Sequence, residues 1–534
     1  MREHPDARDA SLTLRQAQGD TGGAHGDTGG ARGDTTGKVW LVGAGPGDPG
    51  LLTLKGARAL AQCDTLVYDY LASEAIVNLA APDCEKIYVG KKAGEHTLSQ
   101  DEITALIVRL GRDGKKVVRL KGGDVFVFAR GGEEAQALAE AGVPFEIVPG
   151  ITSAIAAPAY AGIPVTHRAH NTSFTIATGH EDPTKGTSSL DFAKLANRKA
   201  TTIFLMAMGN LAGIAAKLAE HGLEGDTPVA IVHEGTKPSQ EVLVATLDTV
   251  VAEVERTGIT APAIVVIGDV VRERERIRWF DAQPLFGKRV LITRPAHQAD
   301  DFAARLWEAG AEPILAPTIA IGPPPDPGTA RDAVARVRDY DWVVFTSRNG
   351  VDAFFDRLGE LGRDARAFGD VRIAAIGPKT AEALAARGIR VDLIPPSFVN
   401  EAVAEELLER TASGDRVLVY RALEARDVLP ETLRREGRAV DVVAAYRTAF
   451  VEDAALADKV ERAGIVTFTS SSTVAGFVHN VPDAPLALAA KTVAAIGPIT
   501  AQTARDAGIR VDVVAAEFTV EGLLQALLTA RTAT

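Results

Sequence analysis

From Lys38 onward, short runs of apolar and β-branched residues alternate with stretches whose apolar positions recur at helical spacing. The runs KVWLVGAG, TLVYD, KIYVG, KVVRLKGG and FEIVPG are predicted strands with helices between them. Strands separated by helical segments imply parallel βαβ units. After about Ser173 a second series begins with SFTIATG, TTIFLMAM, PVAIVHEG and APAIVVIGDVV. The stretch RERERIRWFDAQPLFGKR then reads as a charged connector, and a third series starts at RVLITRP.

The third series contains an internal repeat. VRIAAIGPKTAEALAARGIRVDLI at 371–394 returns as KTVAAIGPITAQTARDAGIRVDVV at 491–514, an offset of 120 residues, and VVFTSRNGV and VTFTSSSTV correspond upstream of each copy. Two similar α/β lobes are expected, with a cleft between them. Residues 1–37, with the near-repeat GDTGGAHGDTGGARGDTTG, have little to bury and are predicted to be a disordered glycine-rich tail.

Composition narrows the classes. At roughly 150 residues per domain, 534 residues suggest three or four units. A hydrophobic share of 46% with 24% charged residues excludes a wholly disordered or fibrous chain. The net charge of −12 argues against general nucleic-acid binding, while leaving room for local basic pockets. Two cysteines, Cys63 and Cys84, cannot build a disulfide framework or a four-cysteine zinc site, and a cytoplasmic protein is expected. The N-terminus lacks the apolar core of a secretory signal. The uncharged stretch between Glu146 and His167 contains Pro149, Pro158 and Pro164, so it is expected to be buried loop and helix, with no membrane span.

VGAGPGDPG at 42–50 follows a strand and precedes a helix, as a dinucleotide-binding turn would, and Asp69 lies about 20 positions on. However, with Gly43 and Gly45 as the first two fingerprint glycines, Asp48 takes the third place. A carboxylate there repels a pyrophosphate but not a positively charged sulfonium. A plain helix cap is the other reading of Asp48.

Together with VYDYL, YVGKKAGEHTLSQDEI, VVRLKGGDVFVFARGGEEA, FEIVPGITSAIAAPAYAGIPVTHR, LMAMGN and VHEGTKPSQEV, this loop resembles uroporphyrinogen-III C-methyltransferase over residues 38–280. Val125 and Ala129 depart from the proline and glycine usual in that family. The resemblance implies the tetrapyrrole methylase fold of two α/β lobes (about 38–165 and 170–280, within a domain 38–283). It also implies methyl transfer from S-adenosylmethionine to two ring carbons of uroporphyrinogen III, giving precorrin-2 on the siroheme or cobalamin branch. No metal is needed for that transfer. By the same resemblance Asp69 is the proton acceptor and Lys91 the proton donor; a strand-end cap and a solvated cation are the alternatives. Cofactor contacts carried over are Pro46, Gly122, Gly123, Asp124, Val127, Thr152, Ser153, Met206 and Gly235, of which Val127 and Met206 are also readable as core residues. A substrate with eight carboxylates needs cations; Lys92, Arg119, Lys121, Arg130 and Arg168 are candidates, Arg130 and Arg168 the better two. A homodimer through this half is expected.

From about 287 to 534 the motifs RVLITRP, YDWVVFTSRNGVDAF, AAIGPKTAEAL, LVYRALEARDVLPETLRREGRAVDVVAAYRT and VTFTSSSTV resemble uroporphyrinogen-III synthase, which closes hydroxymethylbilane without a cofactor in the step before methylation. One lobe is expected from 287–325 plus 447–534, the other from 326–446. Tyr446 matches a tyrosine implicated in departure of the substrate hydroxyl, or packs between the lobes. Ser347, Thr380, Ser471 and Thr500 fall at βα turns, where they can hold substrate carboxylates or cap helices. Two other functions remain open at this point: an NAD-dependent oxidoreductase, and a methyltransferase with a non-catalytic, ligand-sensing C-terminal module.

Overall fold

The computed structural model describes residues 37–90, 98–180, 190–397 and 400–532. The glycine-rich segment 1–36 and the candidates Lys91 and Lys92 lie outside the described residues. The chain forms two compact units, one from the residues up to Ala44 plus Leu52–Gly150, the other from Gly45–Leu51 plus Ile151–Thr534.

The first unit is one parallel sheet of β1 (Lys38–Gly43), β2 (Thr65–Tyr68), β3 (Glu85–Tyr88), β4 (Lys116–Lys121) and β5 (Phe145–Val148), in the order β3-β2-β4-β1-β5. Successive side chains of a strand face opposite ways. Val39 and Leu41 accordingly join Ile103, Ile107 and Leu138 on one face, while Trp40 and Val42 join Leu60, Leu66 and Ile76 on the other. Burial on both faces is what a parallel sheet requires, and it explains the near-continuous apolar runs.

The second unit begins with a mixed sheet: β6 (Phe174–Thr178), β7 (Thr201–Leu205), β8 (Pro228–His233), β9 (Glu241–Thr246) and β10 (Ala263–Ile267), ordered β6-β7-β10-β8-β9. Only β6 and β7 run parallel; β10 is antiparallel to β7 and β8, and β8–β9 is a hairpin. The segment joining β8 to β9 is far shorter than the dozen or so residues a parallel crossover needs, so the hairpin follows from loop length. The stretch expected to be a charged connector is a packed segment. Trp279 Nε1 donates to Ala159 O at 3.0 Å, Arg274 donates to Ala161 O and pairs with Asp281, and Phe280 is fully buried against the Tyr160 ring. Several of its charges found local partners, and Phe280 found a core while Trp279 stays half exposed above it.

The remaining strands are β11 (Arg289–Ile292), β12 (Glu312–Leu315), β13 (Ile319–Gly322), β14 (Trp342–Phe345), β15 (Arg372–Ala375), β16 (Arg416–Ala422), β17 (Ala439–Phe450), β18 (Ile465–Phe468), β19 (Thr492–Ala495) and β20 (Val513–Val514). They form two sheets, β12-β11-β18-β19-β20 and β13-β17-β16-β14-β15. The repeated sequences supply β14–β15 to one sheet and β18–β19 to the other, both parallel pairs. Ile319 of β13 pairs antiparallel with Phe450 of β17, so the chain changes sheet between β12 and β13 and again after Phe450. Among the described residues no helix is long and apolar enough to cross a membrane, and the uncharged stretch holds the helix Ser153–Tyr160, with Ala154, Ala156, Ala157 and Pro158 buried.

Candidate active sites

Asp69 immediately follows β2. One carboxylate oxygen accepts the Leu71 amide at 3.1 Å, as a strand-end cap would, and the other accepts from Arg119 Nη2 at 3.3 Å. Arg119 is buried, and so is Lys121. Both donate to Oε1 of the fully buried Glu134, at 3.3 and 2.9 Å, and Gln100 donates to the same oxygen at 2.9 Å. Among the described residues Glu134 Oε2 has no hydrogen-bond partner. Burial, followed by the neighbouring Arg119 charge, holds the Lys121 ammonium below its ordinary range, with Glu134 opposing. Arg119 and Lys121, candidate cations for substrate, are thus engaged internally; Arg119 fixes the orientation of Asp69. Arg130 is exposed and paired with Glu133, a surface pair of small energetic worth.

The GGD turn is held by its own aspartate. Asp124 accepts the Phe126 amide at 2.8 Å and the Gly150 amide at 3.0 Å, one on each oxygen. Gly123 takes φ +68°, and a side chain on Gly122 would meet Leu71 Cβ at 2.5 Å. Val125, where the family has proline, is fully buried; its carbonyl accepts the Gly131 amide and closes the loop containing the half-buried Val127. Phe128 and Arg130 in that loop adopt φ of 53° and 59°, strain of the kind retained at functional turns.

In the other unit, Pro46 lies in the loop 45–51. Asp48 there donates its amide to Thr236 Oγ1, accepts the Gly50 amide at 2.7 Å and accepts the Tyr160 hydroxyl at 2.6 Å. The helix that follows is capped by Thr53, so Asp48 anchors the loop rather than capping that helix. Thr152 caps the helix that Ser153 begins. Met206 is half exposed with φ +54°, which removes the reading of a simple core residue. Gly235 stands between Glu234 and Thr236, both at positive φ, and a Cβ on it would meet Ala157 Cβ at 2.4 Å. Arg168 is exposed.

The synthase half brings Tyr446 and Ser347 together. The two hydroxyls are 3.0 Å apart, and Ser347 also caps the helix Arg348–Glu360 through the Gly350 amide. Tyr446 is buried, and burial pushes its phenol up against the opposing hydrogen bonds of Ser347 and Asn349. Asn349 accepts from Gln298, which lies beyond β11. Beside it stands Arg294, which the sequence reading did not single out. Its Nε is buried without a partner among the described residues, its Nη2 reaches Gln298 Oε1 at only 3.5 Å, and burial pulls the guanidinium below its ordinary range. A half-buried cation with unmet hydrogen-bonding capacity suits an incoming carboxylate. Of the four βα-turn hydroxyls, Ser347 alone is a cap. The caps at the other three turns are Gly377, Ser470 and Gly497, with Thr380, Ser471 and Thr500 each inside its helix. Thr380 and Thr500 are buried there, and Ser471 bonds Thr503 Oγ1 at 2.7 Å.

Residues 38–251 match the family described as Tetrapyrrole (Corrin/Porphyrin) Methylases, and residues 300–525 match Uroporphyrinogen-III synthase HemD. The porphyrin biosynthesis protein HemD of Ruminiclostridium josui is 39% identical over 498 residues, covering 92% of this chain and 98% of its own. The S-adenosyl-L-methionine-dependent uroporphyrinogen III methyltransferase of Methanosarcina barkeri is 52% identical over 235 residues, which is 44% of this chain and 92% of that relative. Among solved structures, the uroporphyrin-III C-methyltransferase of Thermus thermophilus complexed with S-adenyl homocysteine is 40% identical, covering 44% of this chain and 99% of its own with a TM-score of 0.38.

Proposed function

Because this chain belongs to the tetrapyrrole methylase family in its N-terminal half and to the uroporphyrinogen-III synthase family in its C-terminal half, we propose that it performs two consecutive steps of tetrapyrrole biosynthesis. It cyclises hydroxymethylbilane to uroporphyrinogen III and then methylates that product at two ring carbons, giving precorrin-2. The observation that carries this reading is the co-linear likeness of both halves to one relative over nearly the whole of each chain.

The methyl donor is S-adenosylmethionine, which supplies an already activated methyl on sulfur. The proposed contacts are Pro46, Gly122, Gly123, Asp124, Val127, Thr152, Ser153, Met206 and Gly235. That set fits a sulfonium: it contains hydroxyls, a thioether and a carboxylate, and no cation. Asp124 keeps acceptor capacity beyond its two backbone bonds. Asp69, oriented by Arg119, accepts the proton lost from the methylated ring, and Lys91 returns one. Arg130 and Arg168 receive substrate carboxylates. The half works as a homodimer.

In the synthase half no cofactor is required. Loss of the hydroxyl as water needs a proton, and Tyr446, kept protonated by burial, donates it while the pyrrole nitrogen supplies electrons. Ser347 positions the phenol, and Arg294, with the turns of Thr380, Ser471 and Thr500, receives carboxylates. Incubating the protein with hydroxymethylbilane and S-adenosylmethionine, and reading products by mass and absorbance, tests both halves; recovery of the unmethylated I isomer alone would overturn the reading.

Two further outcomes follow from the same geometry. Tyr446→Phe keeps the ring but loses the donor, so III-isomer formation is expected to slow by about 10²-fold. The spontaneous I isomer then accumulates, and methylation of supplied uroporphyrinogen III is unchanged; chromatography of the oxidised products reads the ratio. Arg294→Met removes a charged hydrogen-bond donor worth about 1.5–3 kcal/mol, and is expected to raise KM for the bilane roughly 10–100-fold with little change in methylation. Steady-state kinetics on each reaction separately checks this.

A further inference from the structure

We propose that His167, His170 and Glu273 form a binding site for one divalent transition-metal ion of the zinc class. One ligand atom from each side chain lies within 4.8 Å of the other two. His170 Nε2 and Glu273 Oε1 are 2.7 Å apart, and the two imidazole rings are 5.0 Å apart at an interplanar angle of 36°. Bonds of about 2.0–2.2 Å to nitrogen and oxygen in tetrahedral geometry put ligand atoms roughly 3.3 Å from one another. The ligand atoms, all within 4.8 Å of one another, already bracket that spacing.

The backbone holding these groups is fixed by contacts that do not involve the cluster's ligand atoms. The His170 and Asn171 amides donate to His167 O at 2.9 and 3.0 Å, and the His167 amide donates to Asn171 Oδ1 at 2.8 Å. Asn171 is itself buried, its amide nitrogen donating to Val165 O, Ser173 O and Thr201 Oγ1. The turn that presents both histidines is therefore anchored from below. Glu273 closes a short 3-10 segment, Asp269–Glu273, and the next residue, Arg274, is tied to Ala161 O and Asp281. Preorganised ligands on two independently fixed segments are what a metal site needs, since ordering them costs nothing further on binding.

A plain His–Glu pair accounts for His170 and Glu273 but leaves His167 unexplained. Two neutral imidazoles and a carboxylate instead carry one net negative charge and three convergent lone pairs. That donor set favours zinc, cobalt, nickel or copper over magnesium or calcium, and three protein ligands leave a coordination position open. The Ala169 amide donates to His167 Nδ1 at 3.3 Å, so ligation through that nitrogen exchanges one long hydrogen bond for a metal bond. His170 and Glu273 have side chains 22% and 12% exposed, shielded from bulk water yet reachable by an ion. In sequence the two histidines stand three apart in HRAH, but the carboxylate follows 103 residues after His170, which hides the site from spacing analysis.

The test uses the full chain, stripped with a chelator and titrated with Co²⁺ by visible absorption and with Zn²⁺ by calorimetry. Glu273→Gln and His170→Asn variants are treated alike. Glu273→Gln preserves shape and a hydrogen bond to His170, so the site is probed in a folded protein, and methylation activity of both variants verifies folding. Wild type is expected to bind one equivalent with tetrahedral cobalt bands and to melt at a higher temperature with Zn²⁺. Each variant should lose affinity by at least about 10²-fold, the upper end of what outer-shell changes alone cause. Mg²⁺ should leave the melting temperature unchanged. Equal stoichiometry and identical cobalt spectra in wild type and both variants, or no saturable binding in wild type, would overturn the proposal.

Discussion

Asp69→Ala is expected to slow methyl transfer to supplied uroporphyrinogen III by about 10³-fold, within the range of general-base catalysis, and to leave hydroxymethylbilane cyclisation at the wild-type rate. The expectation rests on position. Asp69 stands at the C-terminal end of β2, where open parallel sheets bind their ligands, and its carboxylate is aimed by a buried guanidinium. The substitution should be tolerated by the fold, because Arg119 keeps Glu134 as a buried counter-charge. Asp69→Asn separates the two tasks of the carboxylate: its one carbonyl oxygen keeps the acceptor for the Leu71 amide, while the carboxamide nitrogen gives up the Arg119 bond and the group cannot take a proton. Loss of activity in both variants, with unchanged melting, assigns Asp69 to proton transfer. Wild-type methylation in Asp69→Asn, read as S-adenosylhomocysteine release, would reduce the residue to a cap.

Asp69 and the cofactor loops could be proposed from the sequence because they sit in long, specific motifs, whereas Tyr446 rests on the weaker match of a divergent family. The parallel sheet of the first unit was legible too, since its strands are apolar on both faces. The repeat at 371–394 and 491–514, with the matching motifs upstream of each copy, foretold two lobes, and it supplies β14–β15 and β18–β19 to separate sheets. What stayed hidden depends on partners far away in sequence. The antiparallel β8–β9 hairpin is set by a short loop rather than by hydrophobic pattern. Arg119 and Lys121 looked like substrate cations because Glu134, the group that consumes them, is on a different element. Arg294 drew no reading from RVLITRP, and only its buried, unpartnered Nε among the described residues marks it out. For the three βα-turn hydroxyls beyond Ser347, the alternative of helix capping misses the observed caps by one to three positions, which is the scale at which helix ends resist sequence reading.

Glu134→Ala is the substitution expected to cost most stability, about 3–5 kcal/mol in the unfolding of the first unit, because it leaves two buried cations without their shared carboxylate. Replacing the whole set with apolar groups should behave differently. Combining Glu134→Leu with Lys121→Met removes a carboxylate and an ammonium together, leaves Arg119 paired with Asp69, and is expected to recover most of the loss. The pH dependence supplies a second check. Burial holds Lys121 below its ordinary value of 10.5, so between its folded value and 10.5 the unfolded chain binds a proton that the native chain does not. Stability from this group therefore rises with pH through that window. Glu134 opposes the depression, so in Glu134→Ala the window opens at lower pH and the variant's deficit shrinks as the solution becomes alkaline. Denaturant unfolding of wild type, Glu134→Ala and the double variant across that range measures both effects. A deficit in Glu134→Ala that is independent of pH would mean that the lost stability comes from packing around the glutamate rather than from unpaired charge.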